Sequence, residues 1–348
     1  MLDSIQVLRI LALTAISFVA AMAWTPLLTH FLYKHKLGKS IRDDGDTPVF
    51  SRLHKAKAGT PTMGGVLIWG TVLVLAVLFA NLAIIFKQSF ISSLDFLSRA
   101  QTLLPLGVLV VSALIGLLDD YYNVRRIGPH GGGLRMRHRI IIYTLIAAVG
   151  AWWFYYKLGW DIIHVPFVGD VTLGWLIIPF FILVIVATSF SVNETDGLDG
   201  LAGGALMISF GAYAAIAFLQ GKYDLAAFCA VILGALLAFL WFNINPARFF
   251  MGDTGAMSLG VTLGIVAMLT KSVLLLPIIG FIFVIESASV ILQIFSKKVF
   301  KRKLFRSTPI HHHFEAMGWP EQKVVMRFWV VSIVMAFIGL AIYLMDRT

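Results

Sequence analysis

Acidic residues are scarce in this 348-residue chain, and several of the 18 stand where long apolar runs end. Asp119 and Asp120 are adjacent and directly follow the apolar run 103–118. Ionisable groups at membrane depth are costly and usually mark function. Neighbouring carboxylates repel each other unless a cation lies beside them or they share a proton. The pair therefore predicts a cation-binding site, and a solvated helix end is the simpler alternative.

A second acidic cluster runs from Asn193 to Gly200 and contains Asp196 and Asp199. If the next helix begins near Asp196, the two aspartates share one face close to its positive N-terminus. The alternative is an ordinary capped turn. A third polar segment runs from Asn243 to Gly255 between two apolar runs, and it contains Phe250 and Asp253.

Asp253 is a hard oxygen ligand in a glycine-flanked turn. Magnesium is commonly held by one or two such carboxylates while substrate phosphates complete its shell. The segment Lys57–Gly65 adds a cation, hydroxyls including that of Thr62, and glycines. Its composition is that of a phosphate-binding loop, although its spacing is not that of a P-loop.

A histidine triplet, His311–His313, lies in a basic segment. Successive residues do not face one way, so a three-histidine zinc cage is not expected. Histidines titrate near pH 6.5 and are suited to pairing with phosphate or to relaying a proton. The single Cys229 excludes a disulfide or a cysteine zinc site within the chain.

The composition indicates which elements must position these groups. The chain is 59% hydrophobic and 13% charged, with mean hydropathy +0.87, which places it in a bilayer. A membrane-spanning helix needs about 20 apolar residues. We therefore predict an all-α integral membrane protein, one domain over 1–348, with about ten transmembrane helices. The predicted spans are 4–32, 63–86, 102–118, 139–157, 173–190, 200–219, 225–242, 256–270, 273–295 and 326–345.

The net charge of +10 is concentrated in the segments 34–62, 119–139 and 296–325. This pattern favours membrane topology and anionic lipid rather than nucleic acid as the cause of the basic balance. Because cytoplasmic loops are basic, these segments are predicted inside and both termini outside. All the polar clusters then lie on the cytoplasmic side. Their chemistry suits metal-dependent transfer of a phosphate between a soluble and a lipid substrate.

At these residues, over nearly its whole length, the chain resembles the phospho-N-acetylmuramoyl-pentapeptide-transferase family. The Asp119–Asp120 pair, the segment 193–199 and Asp253 resemble motifs of the wider polyprenyl-phosphate hexose-1-phosphate transferase superfamily. The segments 57–65, 241–243 and 309–315 resemble motifs specific to the muramoyl-pentapeptide branch.

The resemblance implies a bacterial inner-membrane enzyme with a cytoplasmic-facing active-site cleft, which uses Mg²⁺ and commonly forms a homodimer. Its substrates would be UDP-N-acetylmuramoyl-pentapeptide and undecaprenyl phosphate, and its products the first lipid intermediate of peptidoglycan and UMP. It assigns Asp253 to magnesium, Asp119 to orienting or deprotonating the lipid phosphate, and Asp120 to supporting it. The implied substrate-binding residues are Lys57, Thr62, Asn193, Asp196, Asp199, Asn243, Phe250 (stacked on uracil), Gln293, His311, His312 and His313.

Three positions depart from the family pattern. Asn123 and Arg139 stand where lysines are usual, and Glu194 replaces an apolar residue. Direct attack by the lipid phosphate and a two-step route through a phospho-aspartate both fit the acids. The nearest rival function is a UDP-N-acetylglucosamine–polyprenyl-phosphate transferase. A lipid transporter or flippase is a weaker rival, because it predicts acids near the middle of the bilayer.

Overall fold

The computed structural model describes residues 2–38, 57, 59–87, 89–128 and 132–347. Residues 39–56 of the first predicted basic segment lie outside the described residues. The described residues form thirteen α-helices and one β-hairpin. The helices are α1 Leu2–Lys34, α2 Val66–Ile85, α3 Phe90–Ser93, α4 Leu103–Val124, α5 Met136–Trp152, α6 Ile177–Thr195, α7 Leu201–Leu219, α8 Tyr223–Asn243, α9 Gly252–Leu269, α10 Leu276–Ile279, α11 Phe281–Val299, α12 Ile310–Ala316 and α13 Glu321–Met345; the strands are β1 Ile162–Val165 and β2 Gly169–Thr172.

Nine of the described helices are long and apolar enough to cross a membrane. The count is ten if α10 and α11, which meet at an angle of 81°, form one bent span. The predicted all-α architecture with about ten spans is therefore confirmed. The bend itself was not predicted, since 273–295 reads as one continuous apolar run.

Helix α9 forms the centre of the bundle, and almost all of its residues are buried. It packs closely on α4, where a β-carbon on Gly116 would come within 2.4 Å of the Asp253 carbonyl oxygen. It packs equally closely on the start of α2, where a β-carbon on Gly65 would lie 2.3 Å from the Gly255 α-carbon. Small residues allow such close approach of backbones in membranes. These contacts fix the N-terminus of α9 among the ends of α2 and α4.

The condition under which Asp196 and Asp199 would share a helix face, a helix that begins near Asp196, is not met, whereas the predicted span 200–219 agrees with α7. Helix α6 continues to Thr195, and α7 begins only at Leu201, after Gly200 with φ of +81°. The turn therefore covers residues 196–200, and the positive φ at its last residue is one that favours glycine. Asp196 and Asp199 therefore lie in the turn between two helices, where they reach different partners.

The antiparallel hairpin of β1 and β2 pairs Ile162 with Thr172 and Val165 with Gly169. No strand was expected here. The hairpin precedes α6 and lies at the end of the bundle opposite the acidic clusters, near the C-terminal end of α13, because Asp346 accepts a hydrogen bond from the Phe167 N–H at 2.5 Å.

Candidate active site

The N-terminus of α9 is surrounded by carboxylates from other elements. Asp120 accepts hydrogen bonds from the backbone N–H groups of Asp253 at 3.1 Å and Thr254 at 3.0 Å. Asp196 accepts one from the Gly252 N–H at 3.2 Å. The first N–H groups of a helix have no partner within the helix and carry partial positive charge, so they attract anions. The acids of two distant sequence motifs are thereby fixed around Asp253.

Gly252 makes this arrangement sterically feasible. Its φ is +73°, and a β-carbon there would lie 2.5 Å from both Asp120 Oδ2 and Thr62 Oγ1. Thr62 itself donates its hydroxyl hydrogen to Asp120 Oδ1 at 3.2 Å. The Thr62 loop is held by backbone bonds, since the Gly64 N–H donates to the Phe250 carbonyl at 2.8 Å. The predicted phosphate-binding segment is therefore part of the same site as the acids.

Arg139, on the first turn of α5, links the two principal acids. Its Nη2 lies 2.8 Å from Asp119 Oδ2 and 2.7 Å from Asp253 Oδ2. Its Nη1 donates to Asn193 Oδ1 at 3.2 Å, and Asn193 Nδ2 donates to Asp253 Oδ1 at 2.5 Å. The Leu134 N–H adds a bond to Asp119 Oδ1 at 2.6 Å. A single guanidinium is thus shared by both carboxylates and offsets part of their repulsion.

Lys57 lies in a neighbouring polar cluster. Its Nζ is 2.6 Å from Asp199 Oδ1 and 2.5 Å from Glu321 Oε1, at the start of α13. Asn245 Nδ2 donates to both acids, at 2.9 Å to Asp199 and 3.1 Å to Glu321. Lys57 Nζ also lies 5.9 Å from the centre of the half-buried Phe250 ring. Lys57 precedes α2, Asp199 precedes α7, Asn245 follows α8 and Glu321 begins α13. The cluster therefore joins the ends of three spans to the segment before α2.

Two predicted substrate-binding amides are engaged with backbone. Asn243 accepts from the Gly200 N–H and donates to the Phe249 carbonyl, both at 2.9 Å. Gln293 accepts from the N–H groups of Leu304 and Phe305 at 2.9 and 3.0 Å. Both side chains are buried and hold loops of the site in place. Their predicted contacts with substrate stay predictions.

The histidine triplet begins the short helix α12, and its members have three different partners. His311 Nδ1 lies 2.9 Å from Glu286 Oε2, and both side chains are fully buried. His312 Nδ1 lies 2.7 Å from Glu315 Oε2, whereas His313 Nδ1 accepts from the Arg306 N–H at 3.1 Å. The His311 ring also packs on Gly197, where a β-carbon would come within 2.3 Å of Nε2.

The structure therefore brings the histidines against the turn that carries Asp196 and Asp199. It also shows which residues the sequence reasoning missed. Glu321 and Asn245 were not singled out, although Glu321 is an acid at the start of α13, at the end of the bundle that carries the candidate site. Glu286 lies on α11, and its partner is His311. Arg139 was noted only as a departure from a family pattern.

The donor set fits a magnesium ion. The closest oxygens of Asp119 and Asp253 converge on one nitrogen of Arg139, so a positive charge already lies between them. Among the described residues no group of three or more His, Cys, Asp or Glu side chains is placed to enclose a metal. Magnesium does not need such a cage, because it keeps waters and uses one or two carboxylates together with substrate phosphates.

The structure is a many-span helical bundle with carboxylates gathered at one end of its helices, and the sequence matches the pattern of a transferase. The pattern of glycosyl transferase family 4 matches residues 102–271, and a signature of phospho-N-acetylmuramoyl-pentapeptide-transferase matches residues 57–68. The chain is 40% identical to the phospho-N-acetylmuramoyl-pentapeptide-transferase of Chloroflexus aggregans, over 97% of this chain and 90% of the relative.

Two further relatives with the same name agree. The one from Geobacillus kaustophilus is 42% identical over 94% of this chain and 96% of its own length. The one from Listeria welshimeri is 40% identical over the same shares. The chain belongs to the phospho-N-acetylmuramoyl-pentapeptide-transferase family, and it is a phosphosugar transferase.

Proposed function

We propose that this enzyme transfers phospho-N-acetylmuramoyl-pentapeptide from its UDP derivative to undecaprenyl phosphate, releasing UMP and the first lipid intermediate of peptidoglycan synthesis. The observation that carries the proposal is that the family signature segment lies against the acids, with Thr62 bonded to Asp120. Near-complete alignment with relatives at about 40% identity supports the same substrates.

In the proposed reaction an oxygen of the lipid phosphate attacks the β-phosphorus of the donor. A new P–O bond forms to the lipid phosphate, and the bond to the UMP oxygen breaks. Phosphoryl transfer depends mainly on positioning and charge neutralisation. Asp119, held by Arg139 and the Leu134 N–H, orients the lipid phosphate or takes its proton. Trapping a phosphate on Asp119 would support the two-step route instead.

Asp253 is the proposed ligand of magnesium, and Asp119, which shares the Arg139 guanidinium with it, is a second carboxylate close by. When bound there, the ion would neutralise charge on the donor diphosphate and on the departing UMP. Asp120 keeps Asp253 in place through its bonds to the start of α9. Lys57 lies where a cation is available to phosphate or uridine, between Asp199, Glu321 and the Phe250 ring.

The proposed location is the bacterial inner membrane, with the site facing the cytoplasm and two copies forming a homodimer. Because Cys229 is buried, single cysteines introduced at exposed positions report the orientation in whole cells. Lys301→Cys, on the site face, should resist a membrane-impermeant maleimide, whereas Trp175→Cys, on the opposite face, should react. The reverse pattern would overturn the orientation. Light scattering of the purified protein tests the dimer.

The test of function is UMP release by the purified enzyme with undecaprenyl phosphate and each sugar nucleotide, with and without magnesium. We expect release only with UDP-N-acetylmuramoyl-pentapeptide and magnesium. Asp253→Asn should abolish it, whereas Asp170→Asn, on the opposite face, should not. Release only with UDP-N-acetylglucosamine would move the enzyme to the sister branch.

A further inference from the structure

A cavity of about 530 Å³ lies at the end of the bundle opposite the candidate active site. It forms where the turns after α7 and after α9 meet the hairpin and the end of α13. Charged and aromatic side chains line it, among them Trp160, His164, Lys222, Lys271, Asp346 and Arg347. The cavity is separate from the acids at the start of α9, because these elements reach it with their other ends.

Three cations from three separate elements face this cavity. Lys222 Nζ lies 5.2 Å and Lys271 Nζ 5.9 Å from the centre of the Trp160 ring, so one indole supports both ammonium groups. Arg347 lies beside them, 5.1 Å from the Tyr343 ring centre. Cations from different parts of the chain repel one another, so their convergence calls for negative charge nearby.

The acids that line the cavity are mainly engaged with the histidine. Asp346 binds His164 Nε2 and the Phe167 N–H, each at 2.5 Å. Asp170 binds His164 Nδ1 at 2.7 Å and reaches Lys271 only at 3.5 Å. Lys222 donates instead to an uncharged acceptor, the Leu269 carbonyl, at 2.7 Å. The lining therefore carries three cations against two carboxylates, before any charge on His164.

The environment of Lys222 agrees with an excess of positive charge in the cavity lining. Burial, followed by repulsion from Lys271 and Arg347, lowers the pKa of Lys222 to about 8. The group is thus still charged at pH 7, but in a setting that disfavours the charge. A bound anion would offset both causes and raise that pKa.

We propose that this cavity is a binding site for a phosphate-class anion, held by Lys222, Lys271 and Arg347 with Trp160 as its apolar wall. Three converging donors with positive charge match the oxygens of a phosphate monoester or diester. The cavity lies at the ends of membrane spans, where phospholipid headgroups are found and tryptophan is enriched. A lipid headgroup and free phosphate share this chemistry, and the experiment separates them.

Capping of helix ends explains two of the three cations but not the third. Lys222 and Arg347 each donate to a carbonyl at the end of a helix, Leu269 and Leu219 respectively. Lys271 has other contacts, with Asp170 and the Trp160 ring. Replacing Lys271 therefore tests anion binding without removing a helix cap.

The test uses the full-length protein in a neutral detergent. Dissociation constants are measured by native mass spectrometry for short-chain phosphatidylglycerol and phosphatidylcholine, and by calorimetry for inorganic phosphate. The variants are Lys271→Gln, Lys222→Arg, which keeps charge and cap, and the control Lys157→Gln. Lys157 is an exposed lysine on the same face that stacks on Trp152, outside the cavity.

We expect Lys271→Gln to weaken anion binding about tenfold, the loss of one charge-assisted bond, while Lys222→Arg and Lys157→Gln bind as the parent does. If Lys271→Gln weakens the binding of phosphatidylglycerol alone, the cavity is a lipid site. If it weakens the binding of inorganic phosphate, the cavity is a free-anion site. Equal affinity of Lys271→Gln and the parent for both anions would overturn the proposal. So would an equal loss in Lys157→Gln, which would indicate general surface charge.

Discussion

Gly252→Ala should disable the active site although it adds only a methyl group. The residue has φ of +73°, and its β-carbon would lie 2.5 Å from Asp120 Oδ2 and Thr62 Oγ1. A β-carbon in the left-handed region costs about 1–2 kcal/mol before any clash. To relieve the clash, both Asp120 and Thr62 must move, and Asp120 then gives up its bonds to the Asp253 and Thr254 N–H groups.

The expected magnitude follows from those two bonds. Each is a charge-assisted hydrogen bond worth about 1.5–3 kcal/mol, so their loss totals at least about 3 kcal/mol. If half or more of that positioning energy is needed in the transition state, kcat falls by about 10- to 100-fold, since each 1.4 kcal/mol is a factor of ten. Asp253 is the next residue and would shift with the backbone.

The assay is UMP release at saturating substrates and magnesium, with thermal unfolding measured in parallel. Gly107→Ala is the matched control, because it lies on α4, the helix of Asp120, and its β-carbon would meet nothing within 4 Å. We expect Gly107→Ala to keep parental activity. If Gly252→Ala retained more than half of the parental kcat with an unchanged unfolding temperature, the steric reasoning would be refuted.

Three further predictions follow from contacts described above. Arg139→Met should lower the magnesium concentration at half-saturation several-fold in calorimetry, because Asp119 and Asp253 lose their shared cation; weaker magnesium binding would contradict this. Glu286→Ala should lower the free energy of unfolding by about 1–3 kcal/mol, because buried His311 loses its partner, and an unchanged denaturant midpoint would count against that pair. Although burial lowers the pKa of His164, its hydrogen bonds with Asp170 and Asp346 outweigh burial and raise that pKa above 6.5. The contribution of His164 to folding stability is therefore complete below pH 6.5 and is lost as the pH rises through the higher pKa of the folded state. The parent's gain in unfolding temperature over His164→Gln should accordingly shrink from pH 6 to pH 9, and a gain that grows would reverse the sign.

Much of the architecture could be predicted because span length and hydropathy are local properties of the sequence. Each predicted span except 273–295 corresponds to one helix, with ends that differ by a few residues, and 273–295 corresponds to the bent pair α10 and α11. The start of α7 was predicted to within one residue, but the partners of Asp196 and Asp199 in the turn before it could not be predicted, because they lie on other elements. The hairpin at 162–172 is short and half-buried, and its turn carries only a weak signal.

The candidate site was predictable as a set of residue types but not as a set of pairs. The acids stand out because a membrane protein has few of them. The bonds from Asp120 to α9, from Glu286 to His311 and from Lys57 to Glu321 join positions far apart in sequence. Such pairs depend on how the helices pack, which one sequence read alone does not reveal.

The contact between Lys57 and Glu321 has a consequence for the order in which the protein assembles during synthesis. The two residues are separated by 264 positions. At a synthesis rate of about 5–20 residues per second, Glu321 is synthesised on the order of tens of seconds after Lys57. The polar cluster around Lys57 is therefore completed only when α13 inserts, whereas the acids at the start of α9 are held by segments that are synthesised earlier.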